Sequence, residues 1–286
     1  MGEPAASFLA DAAAAIASEA GDLLRQHFKQ PRKIGTKASP VDLVTDADHA
    51  ADALIRERLR AAFPGHRVVT EESGEIDPAD GSEIADITWV VDPLDGTVNF
   101  AHGVPHFAVS IAAVRNLAPS MPPSITSKAA TVVAGVIYDP MRNEIFTATE
   151  DGPARLNGSG IRARSTLDLG EALVATGFPY DRRENADMYL RFFQAALIRC
   201  RDLRRLGAAA LDLAWVACGR LDGFFECGLH PWDIAAGALL ARRAGAVASD
   251  FQGKPLVLDA RRVLAAPFAV HARLIEVFTH LPGARP

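Results

Sequence analysis

The chain has 286 residues, of which 49% are hydrophobic and 23% charged, enough for one large domain or two packed subdomains of ordinary size. A formal charge of -5 and the lack of a dense Lys/Arg stripe argue against a nucleic-acid partner, and the composition excludes a disordered or collagen-like chain. Cys200, Cys218 and Cys227 form no CxxC pair and cannot all close into intramolecular bridges, which suits a reducing compartment. Glu3 and Asp11 stand where a signal peptide would carry Lys or Arg. No apolar run approaches the ~20 residues that span a bilayer. A cytoplasmic protein with no membrane contact is expected.

Phe8, Ala12, Ile16, Leu23 and His27 follow a 3.6-residue period, so residues 5–28 read as an amphipathic helix. Residues 31–40 read as a loop before an acidic helix over 46–62, capped by Thr45 or Asp46 and closed by Pro64-Gly65. Residues 67–70 and 89–91 read as strands, the second ended by Asp92-Pro93. Residues 107–114, 131–138 and 144–148 follow as strands joined by turns. The Pro- and Ser-rich stretch 115–130 is longer than a hairpin loop and reads as a flexible surface insertion. Turns at Asp151-Gly152-Pro153 and Asn157-Gly158 close a strand-rich α+β half, residues 1–155. The second half, 156–286, alternates in α/β fashion: strands at 172–176, 202–205 and 223–226, helices at 185–198, 208–217 and 234–244.

The most informative feature is Val90-Val91-Asp92-Pro93-Leu94-Asp95-Gly96-Thr97. An apolar strand delivers two carboxylates to its end across a turn stiffened by Pro93, with the Leu94 carbonyl as a third oxygen. Gly96 and Thr97 then open a turn or helix whose free amides favour an anion. Hard oxygen ligands beside an anion cradle describe a magnesium–phosphate site. Taken alone, the motif is as readily a strand ending in an Asx-type turn. Three further segments bear on the choice. Glu71-Glu72 directly follows the 67–70 strand, Trp232-Asp233 opens a helix, and residues 37–48 run from Lys37 through Asp42 to Asp46 and Asp48. Each also has a plain structural reading, as a solvated pair, an N-cap or a capped helix start.

Together these segments resemble the inositol monophosphatase family over nearly the whole chain. SPVDLVTDAD, TEES, WVVDPLDGTVNFAHGVPHFAVSIA and HPWDIAAGALL look like its consecutive motifs in order and spacing. The resemblance implies a layered αβαβα sandwich, often dimeric, that binds two or three Mg²⁺ and is typically inhibited by lithium. It implies metal ligands at Glu71, Asp92, Asp95 and Asp233, with the Leu94 carbonyl. It places phosphate at Gly96 and Thr97, with Asp48 bonded to Thr97, and substrate hydroxyls at Glu226 and at the helix start Gly207-Ala208-Ala209. Asp95 and Asp233 would face the substrate as well, and Lys37, Asp42 and Glu72 would support the ligands from behind. This chain departs from the pattern at Arg243-Ala244-Gly245-Ala246, where Glu-Ala-Gly-Gly is common. Ala208 replaces a frequent Ser or Thr, which puts substrate preference in question.

The expected reaction is hydrolysis of inositol monophosphate, or a similar small polyol phosphate, by direct in-line attack of a metal-activated water. Glu71 and the Thr97–Asp48 pair would orient and deprotonate that water. Within the superfamily the alternatives are histidinol phosphate, fructose 1,6-bisphosphate and 3'-phosphoadenosine 5'-phosphate. Thr97-Val98-Asn99-Phe100 and Glu226 favour the inositol phosphate reading. A haloacid-dehalogenase-type aspartyl-phosphate mechanism fits poorly, because Asp92 and Asp95 are one residue too far apart and Asp46-Ala47-Asp48 is followed by Ala50. A non-catalytic interaction protein on the same fold is the alternative of another class. No P-loop, nucleophile elbow or dinucleotide fingerprint is present, and His102 and His106 read as structural or, alternatively, as substrate-proximal.

Overall fold

The computed structural model describes residues 4–30, 33–37, 40–115 and 130–282. Helix α1 (Ala6–Phe28) forms as expected, but it buries Leu9, Ala13, Ile16, Ala20 and Leu24; of the expected stripe Phe8, Ala12, Ile16, Leu23 and His27 only Ile16 is buried, and Phe8 is 59% exposed. The 31–40 segment, expected as a loop, instead supplies β1 (Ile34–Thr36), antiparallel to β2 (Leu43–Thr45). The exposed residues of β1 carry no alternation for sequence reasoning to detect. Helix α2 (Asp46–Ala62) is capped by Thr45, whose Oγ1 accepts from Ala47 N at 3.2 Å, while the Asp48 carboxylate accepts from Thr45 N at 2.8 Å. This reciprocal box satisfies donors that a bare helix start would leave open.

Next come β3 (Arg67–Thr70), β4 (Gly74–Ile76), β5 (Ile87–Asp95), the short α3 (Thr97–Ala101), β6 (Ala108–Arg115), β7 (Thr131–Asp139), β8 (Glu144–Thr149), β9 (Arg155–Leu156) and β10 (Ser159–Gly160). They form an eight-stranded sheet of order β10-β9-β8-β7-β6-β5-β3-β4. Within it β3 runs parallel to β5 and the other neighbours are antiparallel. Strand β5 is buried throughout, since both faces of the sheet are covered. Trp89 and Val91 pack toward α1 and α2, and Val90 packs toward the opposite layer. The strand does not stop at Asp92 as expected. It continues to Asp95 through a bulge between Asp92 and Asp95, a place where Pro93 can sit without a donor N–H. The expected insertion at 115–130 falls almost entirely on residues 116–129, which lie outside the described residues.

The second half contains β11 (Leu173–Thr176), α4 (Arg182–Leu197), β12 (Asp202–Arg204), α5 (Ala209–Ala217), β13 (Gly223–Cys227), α6 (Pro231–Arg243), β14 (Val247–Ser249), β15 (Arg262–Ala266) and α7 (Phe268–Phe278). Its five-stranded sheet has the order β12-β11-β13-β15-β14, with β15 antiparallel to both neighbours. Helix α6 starts at Pro231 rather than at residue 234, because proline is preorganised for the first helical position.

Four apolar clusters stack the elements into five layers. The first joins α1 and α2 to one face of the large sheet, and the second joins α5 and α6 to the other. The third fills the space between α5, α6 and the small sheet, and the fourth covers that sheet with α4 and α7. The result is the αβαβα sandwich. Close approach is built in where α6 meets the large sheet: a Cβ on Gly135 would stand 2.9 Å from Ala236 Cα.

His106 is buried edge-on to Trp215, at 5.2 Å and 76°. Burial, helped by Arg142, lowers its pKa from 6.5 to about 4. The unfolded chain therefore takes up this proton at a higher pH than the native state. The stabilising preference for neutral His106 is complete above 6.5 and is lost as pH falls toward 4. Urea unfolding at pH 7.5 and 4.5 should show a smaller acid loss in His106→Phe than in the unaltered protein, by roughly 2 kcal/mol. Equal pH slopes in the two would refute this.

Candidate active site

A cleft of about 210 Å³ opens at the carboxyl end of β5. Its walls include Glu71, Asp92, Leu94, Asp95, Gly96 and Thr97 from the first half, and Gly207, Ala209, Glu226 and Asp233 from the second. Most of the residues singled out by sequence thus meet in one place. Asp48 lies buried behind Thr97, which donates from Oγ1 to Asp48 Oδ1 at 2.9 Å. Ala208 is buried at the start of α5 and does not line the cleft; its methyl would stand 3.3 Å from a Cβ on Gly96. Gly96 has φ of 93°, and glycine lets the chain turn there from β5 into α3.

The bulge in β5 aims its carboxylates. Asp92 Oδ1 accepts from Leu94 N at 3.0 Å, an Asx turn closed on the bulge itself. Leu94 O accepts from Thr97 Oγ1 at 3.1 Å. Asp95 reaches across to the second half, where its oxygens accept from Ala209 N at 3.2 Å and Ala210 N at 2.8 Å, the open amides of α5. Asp233 lies within the first turn of α6 rather than at its cap, and its Oδ2 accepts from His230 N at 2.7 Å. Glu71 follows β3, tied by its amide to Val91 O at 3.1 Å. Lys37, beside β1, donates to Glu71 Oε1 at 2.8 Å and also to Glu72, so the β1–β2 hairpin holds an ammonium against this corner. Burial raises the pKa of the Tyr180 phenol, Glu71 adds to the rise, and Asp42 lies close enough to contribute after them.

Burial pushes Asp92 well above the ordinary carboxylate range, and Glu71, Asp95 and Asp233 add to the effect. Asp95 is pushed up to about 7 by burial; the Ala210 amide opposes the rise and Glu71 reinforces it. Asp233 is raised by burial and then by Glu71. For Lys37, burial lowers the pKa, but Glu71 and Glu72 outweigh it and the net shift is upward. Among the described residues no three acidic, His or Cys side chains close into a ready-made ion cage. The Lys37 ammonium and the amides of Leu94, Ala209, Ala210 and His230 hold the carboxylates instead. The donor set still fits a divalent cation. It is all hard oxygen, and the mutual repulsion that raises these groups is what such a cation relieves.

Toward the substrate end, Glu226 is pushed up to about 8 by burial, against the opposing charge of Arg205. Its carboxylate lies over Gly177, where a Cβ would meet Glu226 Oε1 and Oε2 at 2.1 Å. Only the mobile tip of a side chain is displaced, so Gly177→Ala should fold normally and move the Glu226 acceptor. We expect KM for a polyol phosphate to rise about fivefold with kcat nearly unchanged, as for loss of one uniformly used hydrogen bond. An unchanged KM would refute the placement. Sequence reasoning missed Phe178, Tyr180, Arg182, Arg205, His230 and Trp232, all of which also line the cleft. His230 and Trp232 stood in the quoted HPWD segment, and their stacked rings, 4.9 Å apart at 9°, form one wall.

Comparison with known proteins agrees with this geometry. The model of the inositol monophosphatase family matches residues 6–281. The Nus factor SuhB of Escherichia coli (strain K12) is 43% identical over 270 residues, covering 94% of this chain and 95% of its own. The extragenic suppressor protein suhB of Bartonella henselae superposes with a TM-score of 0.84 at 33% identity, covering 94% of this chain and 98% of its own. The inositol monophosphatase of Anabaena sp. PCC 7120 gives a TM-score of 0.81 at 34% identity, with 96% and 97% covered. Among the described residues no helix is long and apolar enough to cross a membrane. With its five layers and its cleft at the end of β5, the chain belongs to the inositol monophosphatase family.

Proposed function

We propose that this protein is a magnesium-dependent phosphomonoesterase acting on inositol monophosphate or a similar small polyol phosphate. One observation carries the reading: Glu71, Asp92, Asp95 and Asp233 converge from β3, β5 and α6 on one cleft end, beside the Thr97–Asp48 pair. Two or three Mg²⁺, held by those carboxylates and the Leu94 carbonyl, would supply the positive charge that a phosphate dianion and its leaving oxygen require. The protein's own groups do the rest. Thr97 donates its one hydroxyl hydrogen to Asp48, with Leu94 O as the alternative acceptor, which leaves Oγ1 free to accept from an attacking water. Glu71, steadied by Lys37, accepts the second proton of that water. Gly96 and Thr97 seat the phosphate, and Glu226, with Gly207 and Ala209 beside it, receives the polyol hydroxyls. We read the active form as a cytoplasmic homodimer.

A second reading has one observation in its favour. The Escherichia coli relative carries the name Nus factor, which allows an interaction role for this chain alongside hydrolysis or in place of it. Phosphate release from inositol 1-phosphate with Mg²⁺, and again with excess EDTA, separates the two. We expect turnover that EDTA abolishes and lithium inhibits. Absence of turnover in Mg²⁺ would leave the interaction role standing and sink the phosphatase. A panel including histidinol phosphate, fructose 1,6-bisphosphate and 3'-phosphoadenosine 5'-phosphate tests the substrate. A hundredfold preference for histidinol phosphate would overturn the inositol assignment.

A further inference from the structure

Beside the cleft lies a second compartment of about 380 Å³. Pro179, Tyr180, Cys227, Gly228 and His230 line both spaces, so one side of each of these residues faces the carboxylates and the other does not. The far wall of the compartment is Arg261 and Arg262, where the chain enters β15. Arg262 stands in register with Cys227 across the antiparallel β13–β15 pair, and Gly228 N donates to Arg261 O. This pairing fixes the backbone from which both guanidinium groups project.

Among the described residues neither arginine side chain makes an ion pair or hydrogen bond, and Arg262 Nε is buried without an acceptor. The acid in the same wall is already engaged: Asp181 accepts from Tyr189 Oη at 2.7 Å and from Asn185 Nδ2 at 2.9 Å. The charges are felt inward, since Arg262 acts on Cys227 and Tyr189, and His230 feels Arg261 from one side and Glu71 from the other. Tyr180 and His230 thus stand between the carboxylates of the cleft and a compartment that holds Arg261, Arg262 and the hydrogen-bonded Asp181.

Two guanidinium groups without acceptors, in a compartment that shares five wall residues with the candidate phosphoester cleft, suit a bound oxyanion. We infer that the substrate carries a second anionic group, a phosphate or a carboxylate, that lodges against Arg261 and Arg262 while its scissile phosphate lies at Asp92. The inference rests on the phosphatase reading and, within it, favours phosphorylated polyols or sugars with a further negative charge over inositol monophosphate itself.

Matched substrates test it. Inositol 1-phosphate is compared with inositol 1,4-bisphosphate, and glucitol 6-phosphate with 6-phosphogluconate, which separates a phosphate from a carboxylate as the second anion. In at least one pair the doubly anionic member should have kcat/KM about tenfold or more above its partner. Arg261→Gln/Arg262→Gln should erase that advantage and leave the singly anionic member within about twofold. Arg261 is exposed, so Arg261→Gln alone serves if the double variant folds poorly, with part of the same loss. Equal kcat/KM within both pairs, or an equal fall on both members, would overturn the inference. If no ester is hydrolysed at all, the phosphatase reading fails by itself. Calorimetric binding of the same pairs then decides whether the arginines bind the second anion.

Discussion

Asp92→Asn should lower magnesium-dependent phosphate release by about a thousandfold or more, the scale of removing one preorganised charge from an active site. Asp92 is only 2% exposed and feels Glu71, Asp95 and Asp233 together, so no neighbour can take over its position. The substitution keeps shape and volume, and the amide oxygen can still accept from Leu94 N. The bulge in β5 should survive, and the melting temperature without divalent ions should not fall. Phosphate release and thermal melting on the same preparation test both halves. Activity within tenfold of the unaltered protein would remove Asp92 from the chemistry. A collapsed melt would show that its role is structural.

Asp95 should behave differently, because it has two tasks. Asp95→Ala and Asp95→Asn should both lose activity on the same thousandfold scale, but the alanine variant loses both acceptors for Ala209 N and Ala210 N, whereas asparagine keeps one carbonyl oxygen that can still cap α5. Uncapping a helix costs about 1–2 kcal/mol, which in a protein of this size lowers Tm by roughly 2–6 °C. Comparing the two variants removes the charge from both sides, so the difference in Tm isolates the cap. Equal melting temperatures would show that Asp95 does not hold α5. Retained activity in Asp95→Asn would show that its charge is dispensable.

How legible this was varied with the range of the interactions. The carboxylate hub could be read because Asp92, Asp95, Gly96 and Thr97 are neighbours in sequence and their chemistry is local. Glu71, Asp233 and Asp48 could be joined to it only through the family resemblance, since no spacing rule links residues so far apart. The bulge that carries β5 past Pro93 was hidden, because proline reads as a strand terminator unless the partner strand is known. Tyr180 and Arg205 reach the cleft from connecting segments and Arg182 from the first position of α4, and none carries a pattern of its own. The stretch beyond residue 244 held a usable signal that went unread: Val270, Leu274 and Phe278 repeat every four residues on the buried face of α7. Strand β15 had none, as Val263 to Ala266, all buried between two neighbours, show no alternation.

The α5–α6 layer has a mechanical consequence. Both helices pack against both sheets, and they are fastened to each other so tightly that a Cβ on Gly237 would stand 2.6 Å from Leu213 Cβ. A shared wall of this kind leaves no hinge between the halves, because rocking one against the other would open two apolar seams at once. The molecule is therefore not a clamshell. The spacing of its acidic groups is held by that packed interior, while the short turn from Gly177 to Asp181 carries Tyr180 between the two compartments.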